Sequence, residues 1–183
     1  MSAYDLPTSA EINGAEYAIR SDYRAVLDII DVMGDSTVSD EDRALIALNI
    51  FYEDFEHLPV SDFQEAIERM FWFVNGGEES KPKGKKPRLM DWRQDFPLIV
   101  SPINRVLGYE VRASEYLHWW TFLAAYQEIG DCLFAQVVSI RKKRAKGQKL
   151  DKQDMQFYRE NHRLVDLTTE ETDAEKALFD AWT

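Results

Sequence analysis

The sequence predicts a mainly α domain of about six to eight helices behind a short N-terminal β-hairpin. Apolar residues recur at three- and four-residue spacing along most of the chain, as they do on the buried face of a helix. Asn13-Gly14, a pair that tolerates the positive φ angles of a type I′ turn, stands between two short alternating runs. Ser, Asp, Gly and Pro punctuate the periodic stretches where helices start and stop. At 183 residues the chain fits one domain able to bury about two thirds of its unfolded surface.

The hairpin is placed at residues 8–20, with Ile12, Tyr17 and Ile19 on its strands. Ser21 is an N-cap ahead of Tyr23, Val26, Leu27, Ile30 and Met33, and Gly34 offers a left-handed stop. A second helix follows Ser39. Its first turn, Asp40, Glu41 and Asp42, suits the positive end of the dipole, and Leu45, Leu48, Phe51, Tyr52 and Phe55 follow before Pro59. Ser61 and Gln64 form a capping-box pattern before Phe63, Ile67, Met70, Phe71 and Val74, and Asn75-Gly76-Gly77 ends that helix. Residues 76–89, with Lys81, Lys83, Lys85, Lys86 and Arg88 among Gly and Pro, read as a flexible basic loop.

Trp92, Phe96, Ile99, Ile103 and Val106 keep helical spacing, but Pro97 and Pro102 interrupt it. An interior proline removes a backbone donor at about 3 kcal/mol, so this helix is expected to kink or to start near Pro97. Ser114 is the expected cap of a helix running to about Glu128 before Gly130 breaks the pattern. Asp131 is the expected cap of the next, with Leu133, Phe134, Val137, Val138 and Ile140. Another helix follows Asp151 with Met155, Tyr158 and Leu164, and a C-terminal helix at 168–183 starts from a T-x-x-E pattern at Thr168.

Charge separates along the chain. Residues 1–79 hold eighteen acidic and four basic side chains, whereas residues 141–152 hold seven basic ones against Asp151 alone, within a net charge of −11. Basic patches can contact phosphates, but an acidic body repels a polyanion, so nucleic acid is not an expected partner. An acidic start in place of a basic–apolar leader, and no apolar run near 18 residues, argue against a membrane span and predict a soluble cytoplasmic protein. The single Cys132 excludes an internal disulfide.

No cofactor, metal or catalytic site is expected. His57, His118 and His162 lie far apart, with no H-E-x-x-H, C-x-x-C, P-loop or G-x-S-x-G pattern around them. Asp91 and Asp95, one helical turn apart, could hold a cation, but acids in a first turn are ordinarily there for the dipole. The stretch Leu117-His118-Trp119-Trp120 therefore reads as packing rather than catalysis. Leu117, Trp120 and Leu123 form the expected core stripe, which turns Trp119 outward as an interaction anchor beside the basic run Arg141, Lys142, Lys143 and Arg144.

In order, "YDLPTSAEING", "SDYRAVLDII", "LMDWRQDFPLIV", "LHWWTF" and "SIRKK" resemble the bacteriophage family catalogued as gene product 15, found in siphophage tail gene clusters and prophages. The likeness covers residues 4 to 165. Its landmarks correspond here to Leu6-Pro7, Asp22-Tyr23-Arg24, Asp91 with Asp95, His118 to Phe122, and Ile140-Arg141; Pro97 and Pro102 depart from the pattern. By genomic place that family is similar to the tail assembly chaperones of long noncontractile tails. The resemblance implies a non-enzymatic protein that binds and solubilises the tape measure protein, aids tail tube polymerisation and meets the major tail tube protein. Opposite charge on the two halves adds an expectation of self-association. A structural head-tail or tail completion protein is the alternative, and an enzyme using Asp91 and Asp95 a third reading.

Overall fold

The computed structural model describes residues 4–78 and 87–168. Their order is β1 (Ser9–Ile12), β2 (Ala15–Ala18), α1 (Tyr23–Gly34), α2 (Asp40–Phe51), α3 (Phe63–Val74), α4 (Trp92–Leu107), α5 (Trp119–Gln127), α6 (Leu133–Ala145) and α7 (Lys152–Val165), with short 3-10 turns at Phe55–His57, Val60–Asp62 and Val111–Ala113. The expected mainly α class with an N-terminal hairpin is what the chain adopts. Most of the expected basic loop, at 79–86, and all but Thr168 of the expected C-terminal helix lie outside the described residues. The chain forms two compact units. One comprises residues 4–78 with 103–128; the other comprises 87–102 with 129–168, the division falling within α4.

In the first unit, β1 and β2 pair antiparallel from Ser9↔Ala18 to Ile12↔Ala15. Asn13 and Gly14 take φ of 52° and 81°, the pair of positive angles that a type I′ turn requires. Helices α1 and α2 then pack as a hairpin, burying Val26 and Ile29 against a core shared with Leu48, Phe51, Met70 and Phe73. The Arg20 guanidinium reaches the carbonyls of Asn49, Ile50 and Tyr52 at 2.8 to 2.9 Å, satisfying acceptors that the end of α2 leaves over.

Several expected caps differ. Asp22, not Ser21, caps α1, accepting from Arg24 N, while Ser21 Oγ bonds Tyr116 Oη. Gly34 is the last residue of α1 and has no positive φ. Ser39 caps α2 as expected. The Ser61–Gln64 box does not form, because a 3-10 turn occupies Val60–Asp62 and turns Ser61 Oγ onto Asp62. Helix α6 starts after Cys132 without a side-chain cap, so Asp131 does not cap it. The helix expected after Asp151 is α7, and Asp151 is its cap, accepting from Asp154 N.

In the second unit α6 and α7 pack together, with Val137, Ile140 and Val165 buried and Leu98, Leu150, Phe157 and Tyr158 closing around them. Helix α4 runs from Trp92 through both prolines, so it does not start near Pro97. Each proline leaves one carbonyl four residues back without its donor. Burial of Ile99, Val100 and Ile103 along the same helix supplies the compensating apolar energy.

Candidate functional site

The sequence landmarks meet in space, in two polar clusters. The first is built on His118. Asp22 and His118 form an isolated bridge, Tyr23 N donates to Leu117 O at 2.9 Å, and Trp119 N donates to Ser21 O at 2.8 Å. The Asp22 carboxylate accepts from Leu117 N as well as from Arg24. These bonds hold Leu117 extended, so the helix cannot begin at Ser114; α5 begins at Trp119 with His118 as its N-cap.

The ring of His118 serves two backbones. Its Nδ1 accepts from Trp120 N at 3.0 Å, so that nitrogen is unprotonated, and its Nε2–H donates to Pro7 O at 2.9 Å. The imidazole is therefore neutral, with one tautomer selected. Burial depresses its pKa below the ordinary 6.5, only partly opposed by the Pro7 carbonyl. The sign follows from linkage: as pH falls from about 6.5 toward the lower folded value, the unfolded chain takes up a proton that the folded one resists, and stability is lost. The contribution is fully present above 6.5. The urea midpoint of the wild type is expected to drop between pH 7.5 and 5.5 by more than that of His118→Asn, a good cap without a titrating ring. Equal drops would contradict the neutral-cap assignment.

The second cluster joins the acidic landmark to the Ile-Arg landmark. Arg141 is 5% exposed and Asp95 0%. They form a bidentate pair, at 2.6 Å to Oδ2 and 2.9 Å to Oδ1. The remaining Arg141 donors reach Val165 O (2.7 Å), Leu164 O (2.8 Å) and Leu89 O (3.1 Å), so all five are used. Asp95 Oδ2 also accepts from Asp91 N, and Asp91 Oδ1 accepts from Gln94 N. The two acids thus fasten the start of α4. Among the described residues no group of three or more His, Cys, Asp and Glu could hold a metal ion, and the Asp95 carboxylate is taken up by Arg141 and the Asp91 N–H.

The predicted site residues are redistributed by this geometry. Trp119 is the inward tryptophan, 2% exposed, stacked on Phe122, and donating its indole N–H to Val74 O at 2.9 Å. Trp120 and Leu123 are only half-buried, whereas Leu117 is buried as expected. The expected core and surface tryptophans are exchanged because the helix starts at 119, which puts Trp119, Phe122 and Ala125 on the buried side. Trp120 instead lies over the turn after α3. A Cβ at Gly77, whose φ is 86°, would stand 3.0 Å from Trp120 Cη2, so glycine is needed there twice over.

Arg141 is likewise no surface contact. Lys143 pairs with Asp154 and Asp151, and Arg144 pairs with Asp166 while lying over the Tyr158 ring. Of the four predicted basic contacts, Lys142 alone is exposed without an ion pair. Two surface features escaped the sequence reading: Leu45 and Ile46, adjacent on α2 and 42% and 41% exposed, and Trp72 of α3. The signal for the first was an apolar run wider than one helix face.

Among the described residues no helix is long and apolar enough to cross a membrane. No curated protein and no solved structure matches the chain. Residues 3–167 match the family described as Bacteriophage Gp15 protein, a span that contains both polar clusters and every landmark that builds them. By that match the chain belongs to the bacteriophage Gp15 family, which implies a phage structural, head–tail related protein.

Proposed function

We propose that the chain acts during tail assembly as a non-enzymatic chaperone, binding the tape measure protein and holding it for the tail tube subunits. One observation carries this reading: a strongly acidic unit that exposes adjacent large apolar side chains. In the first unit, described residues include twenty acidic and six basic side chains, and α2 presents Leu45 and Ile46 at its surface above the acidic turn Asp40–Asp42. Apolar contact surface engages a helical client, and the surrounding like charge keeps the loaded complex dispersed. Membership of the Gp15 family, which implies a phage structural, head–tail related protein, supports a client from phage assembly.

Self-association belongs to the same proposal. Lys142, Lys146 and Lys149 are exposed, and they complement the acidic first unit of a second copy.

Co-expression with the tape measure protein is the test. The client is expected in the soluble fraction with the wild type and largely in the pellet with Leu45→Glu/Ile46→Glu, while mass spectrometry of purified particles finds no copy of this chain. Stoichiometric copies in the particle would instead establish the head-tail or tail completion role.

A further inference from the structure

Trp72 is the one tryptophan of the first unit's described residues whose indole N–H meets no protein acceptor. Trp119 donates to Val74 O and Trp120 to Phe73 O, both at 2.9 Å. Trp72 is half-buried, held edge-on against Trp120 with ring centroids 5.4 Å apart, and it shares with Arg69 the walls of two cavities. The smaller, about 230 Å³, has the buried Ile19, Phe51 and Phe73 in its lining. The wider, about 570 Å³, is lined by Asp62, Glu65 and Glu68.

We propose that this double groove binds a basic amphipathic segment of a protein partner. One apolar side chain of the segment enters the smaller cavity. A Lys or Arg about one helical turn away on the same face lies among the three carboxylates, and Trp72 packs between them and donates its free N–H to the segment.

The chemistry of each part selects this occupant. The smaller cavity lies below the roughly 300 to 1,000 Å³ of ordinary ligand pockets, which suits a single side chain. The carboxylates of the wider one are only partly engaged: Glu65 by Asn13 N and Arg69, Asp62 by Asn13 and Ser61, and Glu68 by Gln64. Among the described lining residues Arg69 is the one cation against Asp62, Glu65 and Glu68, and Glu11 borders the smaller cavity, so a partner cation is attracted. These acids do not converge into a metal site among the described residues, so they fit a charge carried on a long side chain. A tryptophan with an apolar body and an available donor is the usual centre of such an interface. This surface is independent of the role proposed above and holds for either a chaperone or a particle component.

The test uses the full chain and a fluorescein-labelled 18-residue helical peptide with Leu and Lys repeating at i and i+4, read by anisotropy. Glu68→Lys, an exposed change, is expected to weaken binding about tenfold, and Trp72→Ala by a similar factor. Glu115→Lys makes the same charge change on an exposed residue outside the groove and is expected to alter binding less than about twofold. A peptide with Leu replaced by Gln is expected to bind at least about tenfold more weakly than the parent. Equal losses for Glu68→Lys and Glu115→Lys would show general attraction to an acidic surface and overturn the proposal. Indifference to the Leu-to-Gln change would do so too. If Glu68→Lys instead lowers the mass of the protein alone by light scattering and leaves the peptide unaffected, the groove holds a second copy and the proposal is also overturned.

Discussion

Arg141→Ala is expected to lower the free energy of unfolding by about 3 to 5 kcal/mol, the cost of leaving a buried partner charge uncompensated. Asp95 would keep its place at 0% exposure with no counter-ion, and the carbonyls of Leu89, Leu164 and Val165 would lose their donors. Arg141→Lys restores the charge but not the planar fork, so it is expected to recover only part of the loss. Replacing the pair together, Asp95→Leu with Arg141→Met, removes both charges and is expected to be more stable than Arg141→Ala. Urea unfolding followed by circular dichroism measures all four proteins. A loss under about 1 kcal/mol for Arg141→Ala would mean that the pair does not anchor α4, α6 and the end of α7 as the hydrogen bonds indicate.

Trp119→Ala is expected to cost about 3 to 5 kcal/mol, because a fully packed indole leaves a cavity and Val74 O loses its partner. Trp120→Ala is expected to cost less. Its ring is half-buried and touches Trp72, Phe73 and the Gly77 turn, neighbours that solvent can partly replace. The ranking is the informative quantity, since both variants delete the same side chain from adjacent positions. A larger loss at Trp120 would restore the stripe that a start at Ser114 implies.

Much of the fold was legible from local signals. The Asn13-Gly14 turn, the Ser39 cap, the helix start after Asp151 and the Asn75-Gly76-Gly77 stop depend on a few neighbouring residues, so reading them needs no knowledge of the rest of the chain. The basic end of α6 was also legible, although its role was not: Lys142 stays in solvent, while Arg141, Lys143 and Arg144 turn to acids of the same unit. A guanidinium in a charge run looks the same in sequence whether it meets water or a carboxylate 46 residues away.

The sequence by itself determined the helical class, the hairpin, most helix positions, the charge asymmetry and, through its ordered landmarks, the family, because periodicity and order survive without contacts. Tertiary structure decided the phase of α5 and the partners of the landmarks. Helix phase follows from where the backbone leaves extended geometry, and here that point is set by bonds from Leu117 and Trp119 to Ser21, Asp22 and Tyr23, nearly a hundred residues earlier. One turn of delay exchanges Trp119 for Trp120 at the core. The same long-range pairing makes His118 a neutral cap and buries the Asp95–Arg141 pair, since the donors that settle both lie in distant parts of the chain.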